Sequence, residues 1–173
     1  IFFTTNFLSV DSLINDANQA DIISYRIIYE NSPNFPNQVD ELQKHVSQRF
    51  LIPYLIGYLS YITSIDVEIL FKFFAIFTSI LIAHIIFAIS NIIKLSTEEK
   101  IIYLSLFIFN PYLVRYYFFN YIQLQDLIFL YFNFLFIYFF IKEKDNPLII
   151  ISSASLYLKQ SGLALIVTSI FLF

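Results

Sequence analysis

Apolar positions in this chain run in long blocks, and the polar ones gather between them. The block at 69–93 is the longest. At 1.5 Å per residue it reaches about 37 Å, more than the ~30 Å of a bilayer's hydrocarbon core, and Lys72 near its start can snorkel to the interface. A second block, 101–118, is broken by Asn110-Pro111, and a third, 121–141, is rich in Phe and Tyr. The runs 147–158 and 162–173, parted by Lys159-Gln160-Ser161, read as one span or as a pair of short helices. Residues 1–10 read as the end of a further span. The block at 50–63 reaches only about 21 Å and contains Pro53, so it reads as an interfacial or half-inserted helix. The pattern predicts an all-α protein, a polytopic transmembrane helix bundle forming a single transmembrane domain.

The longest polar stretch is 11–49, the first loop between membrane segments. Its SPNFPN segment, 32–37, is a turn, with Pro33 and Pro36 stopping helix on either side. Asp21, Tyr25 and Tyr29 are spaced to share one helical face. Val39, Leu42, Val46 and Phe50 recur at 3, 4 and 4, an amphipathic stripe suited to a membrane surface. Lysines set the orientation. Lys94 and Lys100 flank one short loop, and Lys142 and Lys144 lie in another two spans away, so both loops fall on one side, the cytoplasm. Residues 11–49 then face outward, and the expected location is the bacterial inner (plasma) membrane.

Composition sharpens this. Only 13% of residues are charged against 58% hydrophobic, where an average soluble domain carries roughly 25% charged residues. Two glycines, Gly57 and Gly162, cannot make a P-loop or a GxGxxG turn. The lack of cysteine removes disulfides, thiolate nucleophiles and zinc ribbons. Two histidines offer poor material for a metal site, and none is expected. A net charge of -3 without a basic run argues against nucleic acid as a partner. Zero methionine, and an apolar run ending at Phe173, read as a piece of a longer chain.

Four places could carry chemistry. Asp21 stands outside, shortly after a membrane segment, where a carboxylate can act as general base for a hydroxyl or amine nucleophile; on spacing alone it reads first as a solvated acid capping a surface helix. Asp126, in the run Asn120 to Asp126 before an apolar block, reads as an acid complementing a helix N-terminus or as a second carboxylate facing the same cavity as Asp21. Lys159, between two apolar runs, costs a few kcal/mol unless paired, hydrated or interfacial; it could snorkel, or hold a phosphate as a point charge. Arg49, leading into the half-inserted helix, could anchor at lipid headgroups or contact an anionic ligand.

Taken in order along the chain, these features resemble the GT-C membrane glycosyltransferases, which use polyprenyl-phosphate sugars and include the protein O-mannosyltransferases and the lipid A aminoarabinose transferases. The family has a first span, then an outer loop opening on a motif close to Asp-Glu-x-x-Tyr. Asp21, Tyr25 and Ile28-Tyr29 occupy those places. A surface helix, a span, a short cytoplasmic loop and a proline-bearing span follow, as Arg49–Thr63, residues 69–93, KLSTEEK and Asn110-Pro111 do here. An acid then opens the next span, matching Asp126, and a Lys-Gly-like break comes later, matching Lys159-Gln160-Ser161-Gly162. The resemblance implies sugar transfer from a polyprenyl-phosphate donor at the extracytoplasmic face. Asp21 would be the catalytic base, and Tyr25, Arg49, Asp126 and Lys159 would contact substrate. Membrane lipids and the lipid-linked sugar would be the partners. Ile22 replaces the family's second acid, which argues against metal-assisted binding, and Ser161 interposes before Gly162. The rival classes are a transporter with Lys159, Asp126 and His84 along a pathway, a polysaccharide polymerase sharing the Asp-x-x-x-Tyr segment, and a non-catalytic membrane scaffold.

Overall fold

The structure is a computed structural model that describes residues 19–34, 49–110 and 123–158, together with 162, 163, 165 and 167. Among these residues it is all-helical. Six helices are present: α1 (Gln19–Asn31), α2 (Leu51–Thr63), α3 (Val67–Ile92), α4 (Thr97–Phe109), α5 (Leu124–Ile141) and α6 (Asp145–Leu158). Residues 1–10, much of the 11–49 loop and the stretch 111–122 lie outside the described residues.

Two of these helices, α3 and α5, are long and apolar enough to cross a membrane. Only 28% of the apolar stretch of α3 and 22% of that of α5 is buried within the protein, whereas a soluble protein's core helix is buried nearly throughout. The open faces carry large apolar side chains, among them Ile69, Phe73, Ile76, Phe77 and Ile80 of α3. Patches this apolar are not left to water, and the two helices point to membrane association. His84 stands on this outward side of α3, between buried Ile82 and Ile85, and is not one of the residues packed into the protein.

The inner stripe of α3 is Leu70, Phe71, Ala75, Thr78, Ile82 and Ile85, a run at helical period. Leu70, Phe71, Ala75 and Ile82 belong to one core cluster with Ile56 of α2, Phe107 of α4, and Leu124 and Leu127 of α5. A second cluster joins Phe136 of α5 to Leu148 and Ile151 of α6. α5 therefore sits between α3 and α6, each touching a different stripe of it.

Local sequence explains the boundaries. Asp66 caps α3, its Oδ1 accepting from the Glu68 N–H at 2.8 Å and the Ile69 N–H at 3.4 Å, and Glu68 pairs with Lys72 one turn on. Pro53 falls in the first turn of α2, where a missing N–H costs nothing, and the first helical bond runs from Tyr54 N–H to Phe50 C=O at 2.9 Å. At the end of α3, Leu95 N–H reaches Ser90 C=O at 3.0 Å and Lys94 N–H reaches Asn91 C=O at 3.2 Å. This is a Schellman motif, with Lys94 in the left-handed region at φ 59. The end of α5 repeats it: Lys144 N–H to Phe139 C=O at 3.1 Å, Glu143 N–H to Phe140 C=O at 3.0 Å, and Glu143 at φ 52. Ser96 and Glu99 then form a capping box that starts α4. The expected break at Asn110-Pro111 is where α4 stops, with Asn110 in extended backbone as a residue before proline prefers.

Both glycines mark close approaches. A Cβ on Gly57 would overlap the Tyr29 carbonyl oxygen and come within 2.8 Å of Tyr29 Cα, so α2 lies directly on the α1 backbone. Ser32 Oγ donates to Tyr54 C=O at 3.0 Å and Tyr54 Oη donates to Pro33 C=O at 2.8 Å, fastening the end of α1 to α2. A Cβ on Gly162 would meet the Ser155 backbone at 2.6 Å. A straight helix would separate residues seven apart by roughly 10 Å, so the axis does not run on from Ser155 to Gly162. Leu165 packs instead against the cluster of Phe136, Leu148 and Ile151.

Candidate functional site

α1 brings the first candidates. Asp21 is in its first turn, and its side chain lies outside the described residues. One turn on, Tyr25 is completely buried, with Ser24 at 1% and Ile28 at 2% exposure beside it. The buried stripe of α1 is thus 24, 25 and 28, and the chain meets Gly57 of α2 at Tyr29 and Ser32. Tyr29 borders the larger core and meets Phe71 edge-on at 5.8 Å between ring centres.

Arg49 stands in the turn before α2, partly exposed. Its Nε is buried and finds no hydrogen-bond partner among the described residues. Asp126 lies in the first turn of α5, partly buried, with Oδ1 shielded from solvent. An acid there complements the helix dipole. Gln123, the N-cap residue, makes no side-chain capping bond, so the first amide groups of α5 are left to other partners. Lys159 lies outside the described residues. Tyr25 and Arg49 thus belong to the α1–α2 pair. Asp126 belongs to a turn whose neighbours Leu124 and Leu127 share a cluster with Ile56 of α2 and, at its edge, Tyr29. The candidates that the structure describes thus lie on α1, in the turn before α2 and in the first turn of α5, and none of them is itself a member of that cluster.

Sequence reading missed two features. The first is a cleft of about 570 Å³ where α1, α2 and α3 meet, lined by Tyr29, Ser60, Ser64, Ile65, Asp66, Val67 and Glu68. Its polar groups are largely committed: Ser60 Oγ donates to Ile65 C=O at 2.7 Å, Asp66 caps α3, and Glu68 holds Lys72. Burial raises the Tyr29 hydroxyl above the usual tyrosine pKa. Arg26, hydrogen-bonded to it, works the other way, while Glu30 and Asp66 add to the rise. Tyr29 is therefore a neutral phenol near pH 7. The polar run SYITSIDVE between two apolar blocks was the available signal.

The second missed feature is Gln125. It is 1% exposed, and neither Nε2 nor Oε1 has a hydrogen-bond partner among the described residues. It falls on the 125, 132, 136 stripe of α5, the side occupied further along by Phe132 and Phe136 of the α5–α6 cluster. Its helical offset from Leu124 and Leu127 places it on the other side of α5, so the sequence carried no signal of its burial. Among the described residues no group of three or more His, Cys, Asp or Glu is arranged to hold a metal ion.

No family model, curated protein or solved structure matches the chain.

Proposed function

We propose that this chain is a polytopic membrane glycosyltransferase domain that moves a sugar from a polyprenyl-phosphate donor to an acceptor at the extracytoplasmic face. The observation that carries the reading is the burial of Tyr25 one helical turn after Asp21, on a helix held to α2 by backbone contact at Gly57. A base in α1 would have a fixed support beneath it. Asp21 would take the acceptor proton as the sugar leaves the lipid phosphate. Arg49, with its buried Nε, and Lys159 would hold that phosphate by charge-assisted bonds. Asp126 would orient the acceptor from the first turn of α5. In this topology α1 and the start of α2 lie outside, and the Lys94 and Lys142–Lys144 turns lie in the cytoplasm of a bacterial inner membrane.

Asp21→Asn tests the reading, because it keeps size and polarity but cannot accept a proton near pH 7. Removal of a positioned base costs about 10²–10⁴ in rate. Turnover of a polyprenyl-phosphate sugar should fall by that order with expression and donor affinity kept. Asp11→Asn and Asp16→Asn share the loop and should transfer normally. Normal transfer by Asp21→Asn, with loss in a control, would mean that the base is a different carboxylate. Indifference to all three would leave a scaffold as the better reading.

A further inference from the structure

The amide of Gln125 is a donor and an acceptor buried together, with no partner for either among the described residues. Such a group destabilises the protein that carries it, and an apolar residue of the same length would pack there without that cost. The position has polar surroundings, however. Asp126 follows with one carboxylate oxygen shielded, Gln123 precedes it at 7% exposure, and the Gln123 side chain does not itself cap α5. These are the groups of a polar site at the end of an apolar helix.

We infer that Gln125 reads a hydroxyl pair of the transferred sugar, an inference that rests on the glycosyltransferase reading above. The chemistry of the amide selects the class of ligand. A phosphate near neutral pH offers acceptors and would leave Oε1 unpaired. An ammonium offers donors and would leave Nε2 unpaired. Two adjacent hydroxyls satisfy both, one accepting from Nε2–H and its neighbour donating to Oε1. A sugar carries such a pair next to the bond that is broken. Gln125 is then a specificity residue: it contacts the sugar, while Arg49 and Lys159 contact the phosphate.

The experiment is thermal denaturation of the full chain in lipid nanodiscs, alone, with a polyprenyl phosphate, and with polyprenyl phosphates bearing glucose, mannose or arabinose. The variants are Gln125→Met, which keeps the length, and Gln125→Leu, which is one atom shorter; both are apolar and lose both bonds. Without ligand both should melt above the wild type. The polyprenyl phosphate should raise the melting temperature of all three proteins equally. The added rise from at least one sugar should shrink in the variants, by an affinity loss of roughly tenfold for one exchanged pair of neutral hydrogen bonds. An unchanged sugar increment overturns the inference and leaves the transferase reading standing. Variants that melt lower or fail to fold also overturn it, because the amide would then support the fold. If the wild type responds to none of these lipids, the transferase reading falls and takes this inference with it.

Discussion

The contact at Gly57 sets opposing effects against each other. Gly57→Ala adds one methyl group to the middle of α2. Helix propensity alone would make this stabilising by about 1 kcal/mol. Against that, the new Cβ would overlap the Tyr29 carbonyl oxygen and sit 2.8 Å from Tyr29 Cα and 2.9 Å from Ser32 Cβ. The first two are backbone atoms, which cannot rotate away, so the helices must part. Overpacking of this kind costs about 1–3 kcal/mol. A larger separation would loosen the setting in which Tyr25 and Ile28 are buried, and fully exposing two such side chains costs about 3–6 kcal/mol. A clash with backbone falls in the upper half of the overpacking range, so less the propensity gain the net loss is about 1–2 kcal/mol, with exchange protection lost first across α1. Far-UV circular dichroism through a thermal ramp reads the stability, and amide hydrogen exchange locates the change. On the proposed function, in which Asp21 of α1 is the base, transfer activity should fall with it. A Gly57→Ala protein as stable as the wild type, or more stable, would refute the described crossing of α1 and α2.

Three further outcomes follow from the turns and caps. Glu143→Gly should stabilise by about 0.5–1 kcal/mol, since glycine takes the left-handed conformation without a Cβ penalty; denaturant titration checks it, and a loss would refute the Schellman geometry. The Ser96 bonds hold the Glu99 carboxyl below the usual glutamate value of 4.5. The folded value is the lower one, so this contribution is complete above about 4.5 and fades as pH falls through the folded value. Glu99→Gln should flatten that part of the melting temperature–pH curve, and an unchanged slope would count against the capping box. On the proposed orientation, Ser47→Cys should react with an impermeant thiol reagent on intact cells, and Lys144→Cys only after permeabilisation; the reverse pattern would invert the topology.

How much could be read beforehand follows from what hydropathy senses. The expected block 69–93 corresponds to α3 at Val67–Ile92, 121–141 to α5 at Leu124–Ile141, and 50–63 to α2 at Leu51–Thr63. Apolar runs define helices of this kind, and Asp66 and Ser96 supply visible starts. The ends of α3 and α5 fall within one residue of the expected 93 and 141, although lysine and glutamate occupy positions where glycine is the usual sign. The close passage of α1 over Gly57 depends on two distant segments meeting, which no local pattern records. Tyr25 was legible as a face-mate of Asp21 by spacing, but its complete burial was not. Gln125 was hidden because a glutamine beside an aspartate reads as solvated until the α5 stripe is known to be covered by α6.

The two glycines also predict where this chain can change over time. On the outward faces of α3, α4 and α6, one apolar side chain can replace another with little consequence for packing, and those positions are free to drift. Gly57 and Gly162 have no such freedom, since each holds open a passage for another stretch of backbone. A saturation scan scored by surviving protein would therefore show broad tolerance among the aliphatic and aromatic residues and two isolated positions that accept almost nothing. Diverged descendants of this chain could lose nearly all recognisable sequence along their spans and still be aligned by those two points.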